Sequence, residues 1–136
     1  MGNTQFSVGV HVLTLLSTGR RQSSTDMAAS VGSNPVHVRR VLGMLRRAGL
    51  VASAPGAAGG WELTVDPATT TLRDVWVAVG GDQRVLGVHD AAPECEVGQS
   101  IQARLTQVER DAAAALAAEL GRTTVADVCA ATPAAA

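Results

Sequence analysis

Ser33-Asn34-Pro35-Val36-His37-Val38-Arg39-Arg40-Val41-Leu42-Gly43-Met44-Leu45-Arg46-Arg47-Ala48-Gly49-Leu50-Val51 is the stretch that decides the fold. Asn34 carries a side-chain oxygen able to cap a helix start, and Pro35 suits the first helical position, where its missing N–H costs nothing. Val38, Val41, Leu42 and Leu45 then fall on one face of a 3.6-residue period. Gly49 is a natural residue to follow the helix end, and Leu50 to Ser53 reads as a short strand. The segment therefore predicts an N-capped amphipathic helix running directly into a β-strand.

Upstream, Phe6, Val10, Leu13 and Leu16 recur at spacings of four and three, predicting a first helix over residues 5–18 that ends at Gly19. Arg20 to Ser24 is a polar loop. Ser23 followed three residues later by Asp26 is a partial capping signal for a short helix through Met27, Ala28, Ala29 and Val31, stopped by Gly32. Two helices separated by a tight Gly turn result. Downstream, Ala54 to Gly60 is a Gly-rich turn and Trp61 to Val65 alternates as a return strand. Helix, helix, turn, helix and a two-stranded ribbon make a winged helix-turn-helix, a mostly α fold with a small β-wing.

Thr71 precedes Leu72, Val75, Trp76 and Val79, predicting a further short helix closed by Gly80-Gly81 and packed on the wing side of the head. Residues 81–96 lack periodicity and read as a linker. From there Val97, Ile101, Leu105, Val108, Ala112, Leu116 and Leu120 sustain spacings of four and three, the pattern of one long helix. Its Ala112 to Ala118 run lets a second helix approach closely, and a stripe of this length needs a cover. Pairing of two copies through Val97, Ile101, Leu105, Val108, Ala112 and Leu116 is the economical solution. Val125 to Ala130 predicts a last short helix, followed by a frayed Ala-rich tail. The expected organisation is a head over 1–80, a linker over 81–96, dimerisation and short helices over 97–130, and a tail over 131–136.

A chain of 136 residues that is 46% apolar buries one compact core. No run reaches the ~18 apolar residues of a membrane span, and Met1 to Ser7 lacks a basic leader, so a cytoplasmic location is expected. The net charge of −1 conceals an asymmetry: six of the eleven arginines but two of the twelve carboxylates lie in residues 1–64, and no lysine occurs. A basic head on an acidic body can still attract a polyanion, because screening makes phosphate attraction local.

Once the apolar stripe of 35–47 faces the core, Val36, His37, Arg39 and Arg40 lie on its exposed flanks near the N-terminus, the end that a helix-turn-helix presents to base edges. Arg39 suits a bidentate contact to guanine, worth about 1–3 kcal/mol of discrimination, whereas Arg40 and Arg21 suit phosphate. The alternative reading is a merely solvated face. Arg46 and Arg47 sit in the last turn, where the helix dipole favours cations without any ligand. Gly56, Gly59 and Gly60 lack the Lys-Ser/Thr of a phosphate-binding loop and read as a wing turn.

Cys95 stands between Glu94 and Glu96, which disfavour a thiolate, yet just before a long helix, whose dipole favours one. A redox-sensing thiol and a structural half-buried thiol both remain open. Cys129 reads as buried packing. His11, His37 and His89 are too dispersed for a metal site, and no nucleophile stands with a base and orienter, so no metal, cofactor or enzymatic activity is expected.

The segment from Ser33 to Leu42, then Leu45 to Val51, then Gly56-Ala57-Ala58-Gly59-Gly60-Trp61-Glu62-Leu63, resembles the Rrf2 family of bacterial regulators, which includes the IscR, NsrR and CymR types. The resemblance extends over nearly the whole chain, to the helix beginning Cys95-Glu96-Val97-Gly98. It implies a dimeric repressor whose long helices cross at the interface, whose third helix enters the major groove of double-stranded DNA at a palindromic operator, and whose wing reaches the minor groove. The DNA-binding set then comprises Arg21, Ser33, Asn34, Val36, His37, Arg39 and Arg40, with Gly56, Gly59 and Gly60 shaping the wing.

Two departures stand out. Some members carry an Arg just before the first wing Gly, where this chain has Pro55. Iron-sulfur members place three cysteines near the start of the long helix, where this chain has only Cys95. The resemblance thus implies a cluster-less member answering to thiol oxidation at Cys95, a small ligand of undisclosed identity or a partner protein, or one not regulated at all. A different class of function, a winged helix that binds and regulates a protein as CymR-type members do, is distinguished by salt-insensitive association with that protein.

Overall fold

The computed structural model describes residues 4–57 and 59–133, so the expected fray at 134–136 and the wing residue Ala58 lie outside the described residues. Six helices and two strands follow in the order α1 (Gln5–Leu16), α2 (Ser24–Val31), α3 (Pro35–Arg47), β1 (Val51–Ala54), β2 (Gly60–Leu63), α4 (Leu72–Ala78), α5 (Glu96–Leu120) and α6 (Val125–Ala130). Helix α1 ends two residues earlier than its periodicity predicts, because the Ser17 hydroxyl donates to the Thr14 carbonyl and Gly19 takes a positive φ of 83°.

The helix-turn-helix is built on its end signals. Ser23 Oγ accepts from the Asp26 backbone N–H at 3.0 Å, and Gly32, at φ 71°, donates its N–H to the Ala28 carbonyl. Asn34 Oδ1 accepts from the Val36 N–H at 2.8 Å, with Pro35 at the first helical position. At the other end of α3 the Leu50 N–H reaches back to Leu45 O and the Gly49 N–H to Arg46 O, the paired bonds of a Schellman turn. That turn aims the chain straight into β1.

Val38, Val41, Leu42 and Leu45 are fully buried, meeting Val12, Leu13 and Leu16 of α1 and Met27 of α2 in one core. β1 and β2 pair antiparallel with Val51 opposite Leu63 and Ser53 opposite Trp61. A third piece of the wing comes from the α1–α2 loop: the Gln22 N–H donates to Trp61 O at 3.1 Å and the Trp61 N–H to Gln22 O at 2.8 Å.

Helix α4 corrects one expectation. It packs on α1, α3 and α5 and not on the wing side. Val75 is fully buried, and Gly9 of α1 leaves so little room that a Cβ there would sit 3.1 Å from Val75 Cγ1. The Phe6 and Trp76 rings meet edge to face with centroids 5.5 Å apart. The apolar face was legible, but its partner was chosen by the gap at Gly9.

Residues 81–95 contain no regular element, as predicted, yet they run back along α5 under specific restraint. The Val85 and Leu86 N–H groups donate to the two oxygens of the Glu109 carboxylate, and the Ala91 N–H donates to Gln102 Oε1. Helix α5 begins at Glu96, with Cys95 as its N-cap, and reaches 25 residues. No helix among the described residues is long and apolar enough to cross a membrane.

Past α5 the chain returns to the head. The Leu72 N–H donates to Thr123 O, the Val125 N–H to Thr70 O, and the Ala126 N–H to Pro67 O, while Val125 is buried in the core. Thr124 and Asp127 form a reciprocal capping box that starts α6. Hydrogen bonds from the Thr124 backbone N–H and hydroxyl hold the Asp127 carboxyl below its ordinary value of 3.8. A carboxyl depressed by folding stabilises the native state above the unfolded value, and that contribution is lost as pH falls through the lowered folded value. Asp127→Asn is therefore expected to lower the thermal midpoint at neutral pH, with the two melting curves converging in strong acid. A difference that persists unchanged there would count against the box.

Candidate nucleic-acid interface

The exposed end of α3 gathers most of the residues predicted to meet a polyanion. Val36 is 55% exposed, and Arg39 and Arg40 are also exposed on the flank away from the buried stripe. Neither arginine has a carboxylate partner: the salt bridges among the described residues are Arg21–Glu62 and Arg122–Glu119. Two guanidinium groups held on a rigid, capped helix without neutralising neighbours are suited to charge-assisted bonds with phosphate or with the acceptor edge of guanine.

The remaining predicted residues differ in what they can offer. Asn34 spends its side-chain oxygen on the cap, leaving its amide N–H groups at the turn. Ser33 is half-buried and gives its backbone N–H to Ala28 O, so it closes the turn. His37 is half-buried, with Nε2 3.4 Å from Thr4 Oγ1. Arg21, expected to meet phosphate, donates from Nε to Glu62 Oε2 at 3.1 Å and ties the α1–α2 loop to β2. Its charge is partly answered within the chain.

The wing is a tight turn. Gly56 and Gly60 have φ of 93° and 123°, and a Cβ on Gly59 would fall 2.1 Å from the Ala54 carbonyl oxygen. All three glycines are therefore demanded by the backbone, as sequence reasoning anticipated for a wing and not for a phosphate cradle. Sequence reasoning missed a fourth support. The Arg46 guanidinium lies over the Trp61 ring, 5.8 Å from its centroid, so this cation braces the wing against the end of α3 as well as answering the helix dipole. An Arg at a helix end and an aromatic at a strand start carry no local mark of that pairing.

Away from the head, α5 buries no residue completely. Val97, Ile101, Leu105 and Val108 are 70%, 45%, 39% and 37% exposed, while Ala112 and Leu116 are half-buried. The first four form one continuous exposed apolar stripe along the helix.

The two cysteines occupy separate sites. Cys95 is exposed, with Sγ accepting from the Gly98 N–H at 3.3 Å. Cys129 is half-buried on α6, with Sγ 3.0 Å from Ser17 Oγ. An iron-sulfur cluster of the common kind needs four thiolates, and the chain has two cysteines in all. No group of three His, Cys, Asp or Glu side chains suited to a metal ion occurs among the described residues. The donor set of one chain does not fit such a cluster.

Comparison with known proteins bears directly on this arrangement. A family model described as "Rrf2: Iron-dependent Transcriptional regulator" matches residues 2–131. YwnA of Bacillus subtilis (strain 168), by name a candidate HTH-type transcriptional regulator, is 35% identical over 129 residues, covering 94% of this chain and 96% of its own. Among solved structures, a candidate DNA binding protein at 33% identity superposes with a TM-score of 0.75 over 91% of this chain and 97% of its own. The B. subtilis global cysteine regulator CymR (YrzC), at 23% identity, shares the fold with a TM-score of 0.67 over 98% of both chains.

Proposed function

Because the chain belongs to the Rrf2 family of transcriptional regulators, a non-enzymatic family that binds DNA, we propose that it is a homodimeric repressor acting on a palindromic operator without an iron-sulfur cluster. The observation that carries this reading is the exposed, unpaired Arg39–Arg40 pair at the capped end of α3, flanked by the braced wing. Val36 and Arg39 read base edges in the major groove, and Arg40 meets phosphate. With Pro55 ahead of Gly56, the wing contributes backbone contacts and no inserted arginine.

Removal of Arg39 tests the reading head. In a gel-shift titration, Arg39→Ala is expected to weaken operator binding by about 10–100-fold, the loss of about 1–3 kcal/mol from one bidentate base contact. Salt-dependent binding to unrelated DNA should survive, because most phosphate contacts remain. An operator affinity equal to that of the parent protein would sink the assignment.

The absence of a cluster shifts attention to Cys95, the thiol at the N-cap of α5. Peroxide converts such a thiol to a sulfenic acid, adding one oxygen to sulfur and releasing water. Oxidation there disturbs the start of the helix on which dimer geometry depends and lowers operator affinity. The same titration run on peroxide-treated and Cys95→Ser protein checks this, and equal affinity in all forms would refute it.

A further inference from the structure

A groove of about 1030 Å³ lies between the outer face of α1, the α1–α2 loop and α6, on the far side of α1 from the α4 contact. Its lining includes the apolar side chains of Val10, Leu15 and Val128 and the half-buried Cys129 thiol. The charged groups lining it are Arg20, Arg21 and Asp26, so arginines outnumber carboxylates. Arg21 is committed to Glu62, whereas Arg20 has no carboxylate partner among the described residues. The hydroxyls are already placed: those of Ser7, Thr14, Ser17 and Thr18 donate to α1 carbonyls and leave only acceptor capacity toward the groove. An apolar trough of small-molecule size with one uncommitted guanidinium at its mouth is complementary to an apolar body bearing an anionic end.

We propose that this groove is an effector site for a small organic carboxylate, with its apolar chain on Val10, Leu15 and Val128 and its carboxylate at Arg20. The site adjoins the wing through the chain itself. Arg21 and Gln22, which line the groove, are the residues that bond Glu62 and Trp61 of β2. Filling the groove therefore acts on the same loop that positions the wing, and an effector that prefers one loop position changes operator affinity by that preference. The effect on the operator rests on the DNA-binding function proposed above. The site itself does not.

Hexanoate is a suitable probe, with hexanamide as its uncharged counterpart and acetate as its charge without the chain. Titrated into DNA-free, isotope-labelled protein and followed on the backbone amides of Thr14, Arg20 and Cys129, hexanoate is expected to give saturable shifts. Hexanamide should bind about tenfold more weakly, as the loss of one charge contact requires, and acetate about 100-fold more weakly, as the loss of four buried methylenes requires. Arg20→Ala should reduce hexanoate to the level of hexanamide. Absence of saturation, equal binding of hexanoate and either control, or undiminished binding to Arg20→Ala would each overturn the proposal. Because no DNA is present, this result stands or falls separately from operator binding, which is then measured with and without hexanoate.

Discussion

Replacing both Ile101 and Leu105 by glutamate is expected to convert the proposed homodimer to monomer and to lower its affinity for a two-half-site operator by about 10²–10⁴-fold, the gain that linking two binding events confers. The expectation starts from α5, a 25-residue helix about 37 Å long at 1.5 Å per residue, in which no side chain is fully buried. Ile101 and Leu105 lie at the centre of a stripe that leaves Val97 70% exposed and Val108 37% exposed. Two copies of one stripe are covered most simply by a twofold pairing, in which each substituted position meets the same interface twice. Four glutamates brought together there would repel and would bury unpaired charge. Sedimentation velocity at micromolar concentration reads the assembly state, and gel shifts on one-site and two-site DNA read the consequence. Affinity for a single half-site should hardly change. A double variant that still sediments as a dimer would rule out this face as the interface.

Leu45→Ala is expected to cost about 2–5 kcal/mol of folding stability, the usual range for a leucine truncated in a packed core. Leu45 is fully buried, and its carbonyl also receives the Leu50 N–H that closes α3. The side chain thus lies where the helix-turn-helix core, the end of α3 and the entry to β1 meet. A domain of this size is stable by only about 5–15 kcal/mol, so the loss is a large share of the whole. Urea denaturation followed by circular dichroism measures it. Val36→Ala, on the 55% exposed side of the same helix, is the matched control and should change stability by less than about 0.5 kcal/mol. Equal costs at the two positions would mean that α3 does not pack as described.

How much of this was legible depends on the range of the interaction. Ser23, Asn34 and Thr71 each sit within three residues of the N–H they accept from, so the starts of α2, α3 and α4 could be read directly. The Schellman turn at Gly49 and the glycines of the wing are equally local, since each follows from one residue's backbone conformation. The stripe of α3 was legible because Val38, Val41, Leu42 and Leu45 share a face whatever they meet. Periodicity fixes a face and not its partner, which is why α4 was expected beside the wing and is found on α1, α3 and α5.

Longer-range polar contacts left no mark at all. Glu109 and Gln102 look like solvated positions of a helix, and only the folded path of residues 85–91 turns them into acceptors for backbone N–H groups. Gln22 joining the wing through an isolated bridge to Trp61 is likewise a backbone pairing across 39 residues, with nothing in the local pattern to announce it. Within the candidate interface, the exposure of Val36, Arg39 and Arg40 was anticipated, whereas His37, expected on the same exposed flanks, is half-buried. The engagement of Arg21 with Glu62 and of Arg46 with Trp61 was not, because ion pairs and cation–π contacts join residues that are close only after folding.

The fastening of α5 has a mechanical consequence. Along its side it packs on α4, and the linker is bonded to its Glu109 and Gln102; after it, Thr123, Val125 and Ala126 are bonded back to residues 67–72 of the same head. A rod attached only at one end pivots, whereas a rod that is also packed along its side is restrained from turning. The orientation of the head about the α5 axis is therefore set inside each chain, and a pair of such chains would act as a caliper of fixed opening.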